Sequence, residues 1–226
     1  MRRRYRRTVE MGTPVRYSRF MSLAMQGSLF GDDDGGVGSL QSVTRRELTL
    51  GAWIDVRPGW LSDTRLFDSL VTDVDWRAER RQMYDRVVDV PRLVRFYAER
   101  ERWPHTALYE ARDALDDHYR AELGESFATA GLCYYRNGSD SVAWHGDNIG
   151  RSATEDTMVA IVSLGATRQL LLRPRGGGTS LKFTLGHGDL VVMGGSCQRT
   201  WEHAIPKSTR AIGPRISVQF RPRGVR

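Results

Sequence analysis

Five polar residues in the second half of the chain have the types and spacing of a metal centre. His145 and Asp147 flank Gly146, a single further histidine stands at His203, and Arg215 and Arg221 close the run Arg-Ile-Ser-Val-Gln-Phe-Arg. Residues i and i+2 of an extended segment project to the same side, so His145 and Asp147 can reach one ion. Two histidines and one carboxylate grip one face of iron(II) and leave the other face open for chemistry. The pattern therefore predicts an iron site.

The third ligand has two candidates in the sequence. His187 lies in Gly186-His187-Gly188-Asp189, which has the composition of a turn between two strands. His203 lies further along, in a segment that is typical of a strand. A histidine near a core strand is often only a hydrogen-bonded structural residue, and we expect His105 and His118 to be packing or surface residues of this kind.

The stretch from about Leu132 to Pro222 resembles the catalytic core of AlkB-type iron(II)/2-oxoglutarate dioxygenases. The motifs that carry the resemblance, in the family's order, are Tyr134-Tyr135-Arg136-Asn137-Gly138, Asp140-Ser141, Trp144-His145, Ser163 to Arg168, Gly188-Asp189-Leu190 with Met193, Gln198 with Trp201 and His203, and Pro214-Arg215 with Phe220-Arg221. Upstream, from Trp53 to Ala130, only Pro91-Arg92-Leu93 and Trp103-Pro104 are similar to the family's substrate-side region.

The resemblance implies a role for each of the five residues. His145, Asp147 and His203 would hold iron(II), which selects His203 over His187. Arg215 would bind the far carboxylate of the co-substrate 2-oxoglutarate, because a guanidinium forms a bidentate, charge-assisted pair with a carboxylate. The Tyr135 hydroxyl would be a second donor. Arg221 would orient groups near the iron or the substrate, although an arginine paired with a core carboxylate is the alternative for this residue.

The family's reaction would oxidise 2-oxoglutarate to succinate and carbon dioxide and remove N-methyl groups from bases as formaldehyde. Two departures bear on specificity. Cys133 and Ser217 stand where many members have asparagines that contact the co-substrate. Ile149 follows Asn148 where many members have an acidic residue that helps to read the base. We expect 1-methyladenine and 3-methylcytosine to be tolerated without a sharp preference.

Bases inside a duplex cannot reach buried iron, so such an enzyme must flip them or use single strands, with aromatic rings stacking on the base. The candidates for substrate contact are Tyr84, Arg92, Tyr97 and Trp103. The net charge of +7 is concentrated at the two ends of the chain, so the middle is net acidic. A phosphate-binding groove would therefore need a local cluster, for which Arg77, Arg80, Arg81, Arg86, Arg92 and Arg95 are available. The alternative is a solvated face.

The domain organisation follows from composition. Residues 1–47 combine an arginine-rich start with the run Gly31-Asp32-Asp33-Asp34-Gly35-Gly36 and are expected to form a flexible extension. Within it, Gln26, Leu29 and Phe30 belong to Gln-Gly-Ser-Leu-Phe, which resembles the short peptide by which bacterial DNA-processing proteins bind the sliding clamp. Residues 48–226 would form the dioxygenase domain. The chain lacks an apolar run long enough to span a membrane, and its two cysteines, Cys133 and Cys197, favour free thiols in a reducing, cytoplasmic compartment.

The pattern of apolar residues predicts an α+β, mainly β fold. Helices are expected at Asp63 to Leu70 with Ser62 as cap, at Pro91 to Glu101, and at Thr106 to Leu123 with Gly124 as stop. Strands are expected at Leu132 to Arg136, Thr157 to Leu164, Gln169 to Arg173, Ser180 to Leu185, Asp189 to Met193 and Arg215 to Arg221. Many short strands preceded by helices favour a double-stranded β-helix, or jelly roll, with the helices against one sheet.

Three functions are compatible with these residues. The leading one is oxidative demethylation of alkylated DNA or RNA bases, as in DNA repair. The second keeps the iron chemistry but hydroxylates a protein, a lipid or a small molecule, since the triad and Arg215 report only on metal and co-substrate. The third is a non-catalytic, DNA-associated adaptor.

Overall fold

The computed structural model describes residues 36–83 and 86–225, with the backbone alone for 81–83 and 86–89. Tyr84 and the predicted clamp peptide lie outside the described residues. The strands are β1 Thr44–Glu47, β2 Ala52–Arg57, β3 Arg77–Met83, β4 Arg86–Tyr97, β5 Phe127–Tyr135, β6 Val142–His145, β7 Val159–Gly165, β8 Arg168–Pro174, β9 Leu181–Leu185, β10 Leu190–Gly195, β11 Trp201–Ile205 and β12 Arg215–Pro222; the helices are α1 Leu66–Asp73, α2 Thr106–Leu123 and α3 Cys197–Thr200. Short 3-10 helices occupy Leu40–Ser42, Thr49–Gly51 and Arg151–Ala153.

Two antiparallel sheets form the body of the domain. The major sheet has the order β1-β2-β10-β7-β12-β5-β4-β3, and the minor sheet has the order β6-β11-β8-β9. One apolar cluster packs helix α2 against the major sheet, and a second fills the space between the two sheets. This arrangement confirms the predicted jelly roll with helices against one sheet.

Alternate side chains of strand β12 point to opposite faces of the major sheet, one face packed in the core and the other carrying the predicted functional arginines. Ile216, Val218 and Phe220 are fully buried in the cluster beneath the helices. Successive side chains of a strand point to opposite faces. Arg215 and Arg221 therefore both belong to the opposite face, which looks toward the minor sheet.

Helix α2 has the predicted bounds and an unforeseen cap. The Nδ1 atom of His105 accepts from the Ala107 amide at 3.2 Å, and Gly124 ends the helix in the left-handed region at φ 77°. Such a conformation suits a glycine because it has no Cβ. Leu108, Leu115 and the rest of the buried face contact the major sheet.

The helix predicted over Pro91 to Glu101 is wrong, because most of that segment is strand β4. Its backbone pairs with β5 on one side, with Leu93 opposite Tyr134, and with β3 on the other. Pairing on both sides satisfies the backbone groups that a helix would have satisfied internally. Helix α1 begins later than predicted, with Arg65 rather than Ser62 at the N-cap position, and the Asp63 Oδ1 atom accepts from the Leu66 amide at 3.1 Å.

The folded domain also includes residues upstream of the predicted boundary at residue 48. Strand β1 pairs with β2, and Leu40 is buried in the core. Buried Asp55 on β2 binds both Arg45 of β1, at 2.8 Å, and the Tyr119 hydroxyl of α2, at 2.9 Å. The upstream segment is therefore attached to the helix as well as to the sheet.

Candidate metal centre

The three predicted ligands meet where β6 and β11 pair in the minor sheet. His145 lies directly opposite His203, with ring centroids 4.3 Å apart, and Asp147 follows in the turn after β6. One ligand atom from each residue lies within 4.8 Å of the others. Antiparallel pairing thus brings together residues that are far apart in the chain.

The ring of His145 is oriented by backbone carbonyls. Its Nδ1 atom is 2.9 Å from the Ala143 oxygen and 3.1 Å from the His203 oxygen. Both partners are acceptors, so Nδ1 carries the proton and donates, which leaves the Nε2 lone pair for a metal. That Nε2 atom is 3.9 Å from the Asp147 Oδ1 atom.

Arg221 takes one oxygen of the Asp147 carboxylate and leaves the other. The Arg221 Nε and Nη2 atoms both contact Oδ2, at 2.8 and 2.7 Å. Burial alone would raise the pKa of Asp147, but Arg221, His203 and His145 outweigh it and lower the pKa to about 2. The carboxylate is therefore ionised, and Oδ1 is the oxygen that faces the histidines. The two roles predicted for Arg221 are therefore compatible, because the buried carboxylate with which it pairs belongs to Asp147, the predicted iron ligand.

The backbone of Asp147 is held on both sides. The Gln198 Oε1 atom accepts from the Asp147 amide at 2.9 Å, and the Ser152 hydroxyl donates to its carbonyl at 2.5 Å. Sequence reasoning missed these positioning roles. Gln198 belonged to the resemblance only as a motif residue, and Ser152 gave no signal.

His203 is buried and neutral. Burial is the main cause that lowers its pKa to about 3, with a contribution from His145. A neutral imidazole keeps the lone pair that a metal requires. Two such nitrogens and one carboxylate oxygen, with further positions open, form a donor set that suits iron(II).

His187 has a structural role instead. Its Nδ1 atom accepts from the Gly165 amide at 3.0 Å, and its Nε2 atom lies 3.3 Å from the Asp63 carbonyl. Both ring nitrogens are thus used in joining the end of β7 to the segment before α1. The group that can hold a metal contains His203 and not His187.

The two residues predicted to hold the co-substrate lie side by side on paired strands, with Tyr135 of β5 directly opposite Arg215 of β12. Arg215 is 1% exposed, its Nε donates to the Ser163 hydroxyl at 2.9 Å, and its guanidinium lies 5.3 Å from the Tyr135 ring centre. Its Nη1 atom is buried without a hydrogen-bond partner among the residues described. A buried donor is costly when unpaired, so the site fits a carboxylate such as that of 2-oxoglutarate.

A glycine on β5 makes room for Arg221. A Cβ added to Gly131 would lie 2.6 Å from the Arg221 Nη1 atom. The same strand face carries Cys133, whose sulphur lies 3.8 Å from the Gln219 Oε1 atom, and Gln219 in turn donates to the Ser217 hydroxyl at 2.8 Å. Cys133 and Ser217, which together form one of the departures from the family pattern, therefore lie in one hydrogen-bonded group.

The substrate-side candidates have diverse positions. Arg92 points inward, with its Nε 3.4 Å from the Cys133 sulphur. Tyr97 and Trp103 are buried in the core, where Trp103 packs against Phe220, so we do not retain them as rings that stack on a base. Phe96, next to Tyr97 on the opposite face of β4, is 39% exposed and lies in register with Gly131.

The predicted arginine cluster is largely neutralised where its side chains are described. Arg77 pairs with Asp75 at 2.9 Å, and Arg95 pairs with Glu101. Arg92 faces the interior. A phosphate-binding groove made from these arginines stays a prediction, in which Arg77 and Arg95 are already paired with carboxylates.

Comparison with known proteins agrees with this site. The sequence model of the 2OG-Fe(II) oxygenase superfamily matches residues 70–221. The alkB homolog 3 alpha-ketoglutarate-dependent dioxygenases of Bos taurus and Homo sapiens are each 30% identical to the chain over 70% of its length and 63% of theirs. The Arabidopsis thaliana DNA oxidative demethylase ALKBH2 is 32% identical over 49% of the chain and 42% of its own length.

Solved structures agree on the fold. The structure of OsALKBH1 superposes with a TM-score of 0.53 at 13% identity, covering 79% of this chain and 99% of that one. A prolyl hydroxylase from Trichoplax adhaerens gives 0.52 at 13% identity, covering 74% and 83%.

The chain belongs to the 2OG-Fe(II) oxygenase superfamily, whose members use iron(II) and 2-oxoglutarate. Within that superfamily it is of the AlkB type. It spans less than two thirds of the length of the alkB homolog 3 relatives. In the described part of the chain, every helix is too short or too polar to cross a membrane.

Proposed function

We propose that this protein demethylates alkylated bases in nucleic acid, as a DNA-repair enzyme. An N-methyl base, 2-oxoglutarate and dioxygen would give the hydroxymethyl base, succinate and carbon dioxide, and the hydroxymethyl base would then release formaldehyde. The observation that carries the proposal is the complete set of His145, Asp147 and His203 beside a buried Arg215 whose Nη1 lacks a partner. The substrate class is supported by the relatives that are named as alkB homologues and DNA oxidative demethylases.

The residues of this chain would divide the work. Arg215 and Tyr135 would hold the far carboxylate of the co-substrate, and Arg221 would keep the Asp147 Oδ1 atom turned to the metal. Iron(II), when bound, would supply the activation of dioxygen. Phe96 has an exposed ring and lies in register with Gly131, which adjoins Arg221. This ring is our candidate for stacking on the base. Ile149, 68% exposed beside the ligand turn, offers no acceptor for a protonated base, which supports a broad preference among lesions.

The decisive experiment uses iron-loaded protein and single-stranded oligonucleotides that carry 1-methyladenine or 3-methylcytosine. Formaldehyde and succinate should form in equal amounts on both lesions, because each demethylation consumes one 2-oxoglutarate. The unmethylated oligonucleotide and the His203→Ala variant are the controls. Succinate without formaldehyde from any methylated strand would favour the hydroxylase of a protein, lipid or small molecule. Neither product would favour the non-catalytic adaptor.

The amino-terminal peptide is a separate proposal. Gln26, Leu29 and Phe30 support docking on a replication clamp, because their types and spacing resemble those of the clamp-binding peptide. Clamp binding measured by titration should disappear in the double variant Leu29→Ala, Phe30→Ala, while formaldehyde release from free oligonucleotides stays unchanged. Undiminished clamp binding by the double variant would refute the docking role. The free cysteines Cys133 and Cys197 support a cytoplasmic location.

A further inference from the structure

A surface pocket of about 590 Å³ lies at the far end of the strands that carry the two metal-binding histidines. Its walls are residues 137–139, between β5 and β6, and residues 208–213, between β11 and β12. The pair Val142 and Ile205 separates this end of the minor sheet from the pair His145 and His203. The pocket and the metal centre therefore share the same two strands.

The two loops that form the pocket are fastened together. The Ser208 amide donates to the Gly138 carbonyl at 2.8 Å. Buried Arg168 donates to the carbonyls of Asn137, at 3.1 Å, and Pro206, at 2.7 Å, which ties one loop to the other. A Cβ on Gly138 would lie 2.9 Å from the Ser208 carbonyl oxygen, so the loops approach as closely as a glycine permits. The pocket is therefore preformed.

The chemistry of the pocket suits an anion. Its lining residues include Arg210 and the hydroxyl-bearing residues Ser139, Ser208 and Thr209, and none of the lining residues carries a carboxylate. Arg210 is exposed, as is Lys207, which precedes the lining segment 208–213, and neither makes an ion pair within the described ranges. Arginine and hydroxyl donors are the groups that commonly contact phosphate oxygens.

A second pocket, of about 540 Å³, provides a contrast. It is lined by two arginines, Arg151 and Arg223, but these pair with Glu125 and Glu99, which line the same pocket. Its positive charge is already neutralised. Of the two pockets, only the one at Arg210 has a cationic lining residue without an ion-pair partner among the described residues.

We propose that the Arg210 pocket binds a backbone phosphate of the nucleic-acid strand whose methylated base lies at the metal centre. This inference rests on the proposed function and deepens it. Ser208 follows His203 closely, and even a fully extended segment between them spans at most about 18 Å. Phosphates are spaced about 3.4 Å per strand along a helix axis, so the contact would lie within about five nucleotides of the base.

The test measures binding and turnover on methylated single strands with Arg210→Gln, Lys207→Gln and the double variant. Loss of a phosphate contact should weaken binding by about 3- to 5-fold at moderate salt. It should also reduce the slope of log affinity against log salt by about 0.7 per contact. Arg223→Gln, which removes the same charge from the neutralised pocket, is the matched control and should change the slope little.

Strand length provides the second measurement. Arg210→Gln should fall below the wild type in kcat/KM for strands of about ten nucleotides or more, and this deficit should disappear once the methylated strand is too short to reach the pocket. A wild type that demethylates these strands while Arg210→Gln behaves like Arg223→Gln on every length would overturn the pocket and leave the function standing. A wild type that releases no formaldehyde from any strand would overturn both.

Discussion

Replacing His203 with alanine is expected to abolish 2-oxoglutarate decarboxylation. The loss should exceed the about 10- to 100-fold that removal of a residue which merely orients a metal ligand produces, because the variant lacks one of three ligand atoms that lie within 4.8 Å of one another. Asp147→Ala should behave in the same way and also leaves Arg221 without its ion-pair partner. The measurements are succinate formation and anaerobic iron(II) titration by calorimetry.

His187→Ala is the matched control for the ligand assignment. The His187 ring joins the Gly165 amide to the Asp63 carbonyl, so the variant should lose some thermal stability while it still binds one iron(II). Retained turnover in His203→Ala together with lost turnover in His187→Ala would reverse the assignment. Circular dichroism of both variants separates loss of metal from loss of fold.

Helix α2 could be predicted because the residues that determine it are neighbours in the sequence. One face of the segment is apolar at helical spacing, and Gly124 provides the stop, so sequence neighbours determine the element. The residues from Pro91 to Glu101 do not by themselves determine whether the segment forms a helix or a strand. It is a strand because β3 and β5 pair with it on both sides, and β5 lies far along the chain. Tertiary pairing of this kind overrides local propensity.

The metal centre was predictable for a different reason. A histidine and an aspartate two residues apart form a pattern that is visible in the sequence, and the resemblance supplied His203. The side chains that hold Asp147 in place come from α3 and a 3-10 helix, and no sequence pattern links them to it. Of two neighbouring aromatic residues on β4, Tyr97 faces the core and Phe96 is exposed. The sequence does not tell which face of β4 is buried.

Replacing Arg215 with alanine is expected to cause the largest specific loss in co-substrate binding. Removing one partner of a buried charge pair costs about 3 to 5 kcal/mol, which corresponds to a weakening of about 100-fold or more. The affinity for 2-oxoglutarate should fall by that factor, measured as KM in succinate formation and as Kd by calorimetry. The affinity for iron(II) should change little, because Arg215 contacts Ser163 and Tyr135 rather than a ligand residue.

Arg215→Met separates this role from a structural one by the sign of its effect on stability. Without the co-substrate, Arg215 is a buried cation with an unpaired donor, and burial lowers its pKa. Replacing such a group with an apolar side chain of similar length should leave the unfolding temperature of the co-substrate-free protein unchanged or raise it. Saturating 2-oxoglutarate should raise the unfolding temperature of the wild type and not that of the variant, since only a ligand that binds the folded state stabilises it. A variant that unfolds earlier yet keeps the full shift with 2-oxoglutarate would make Arg215 a structural residue, and the co-substrate carboxylate would then need another partner.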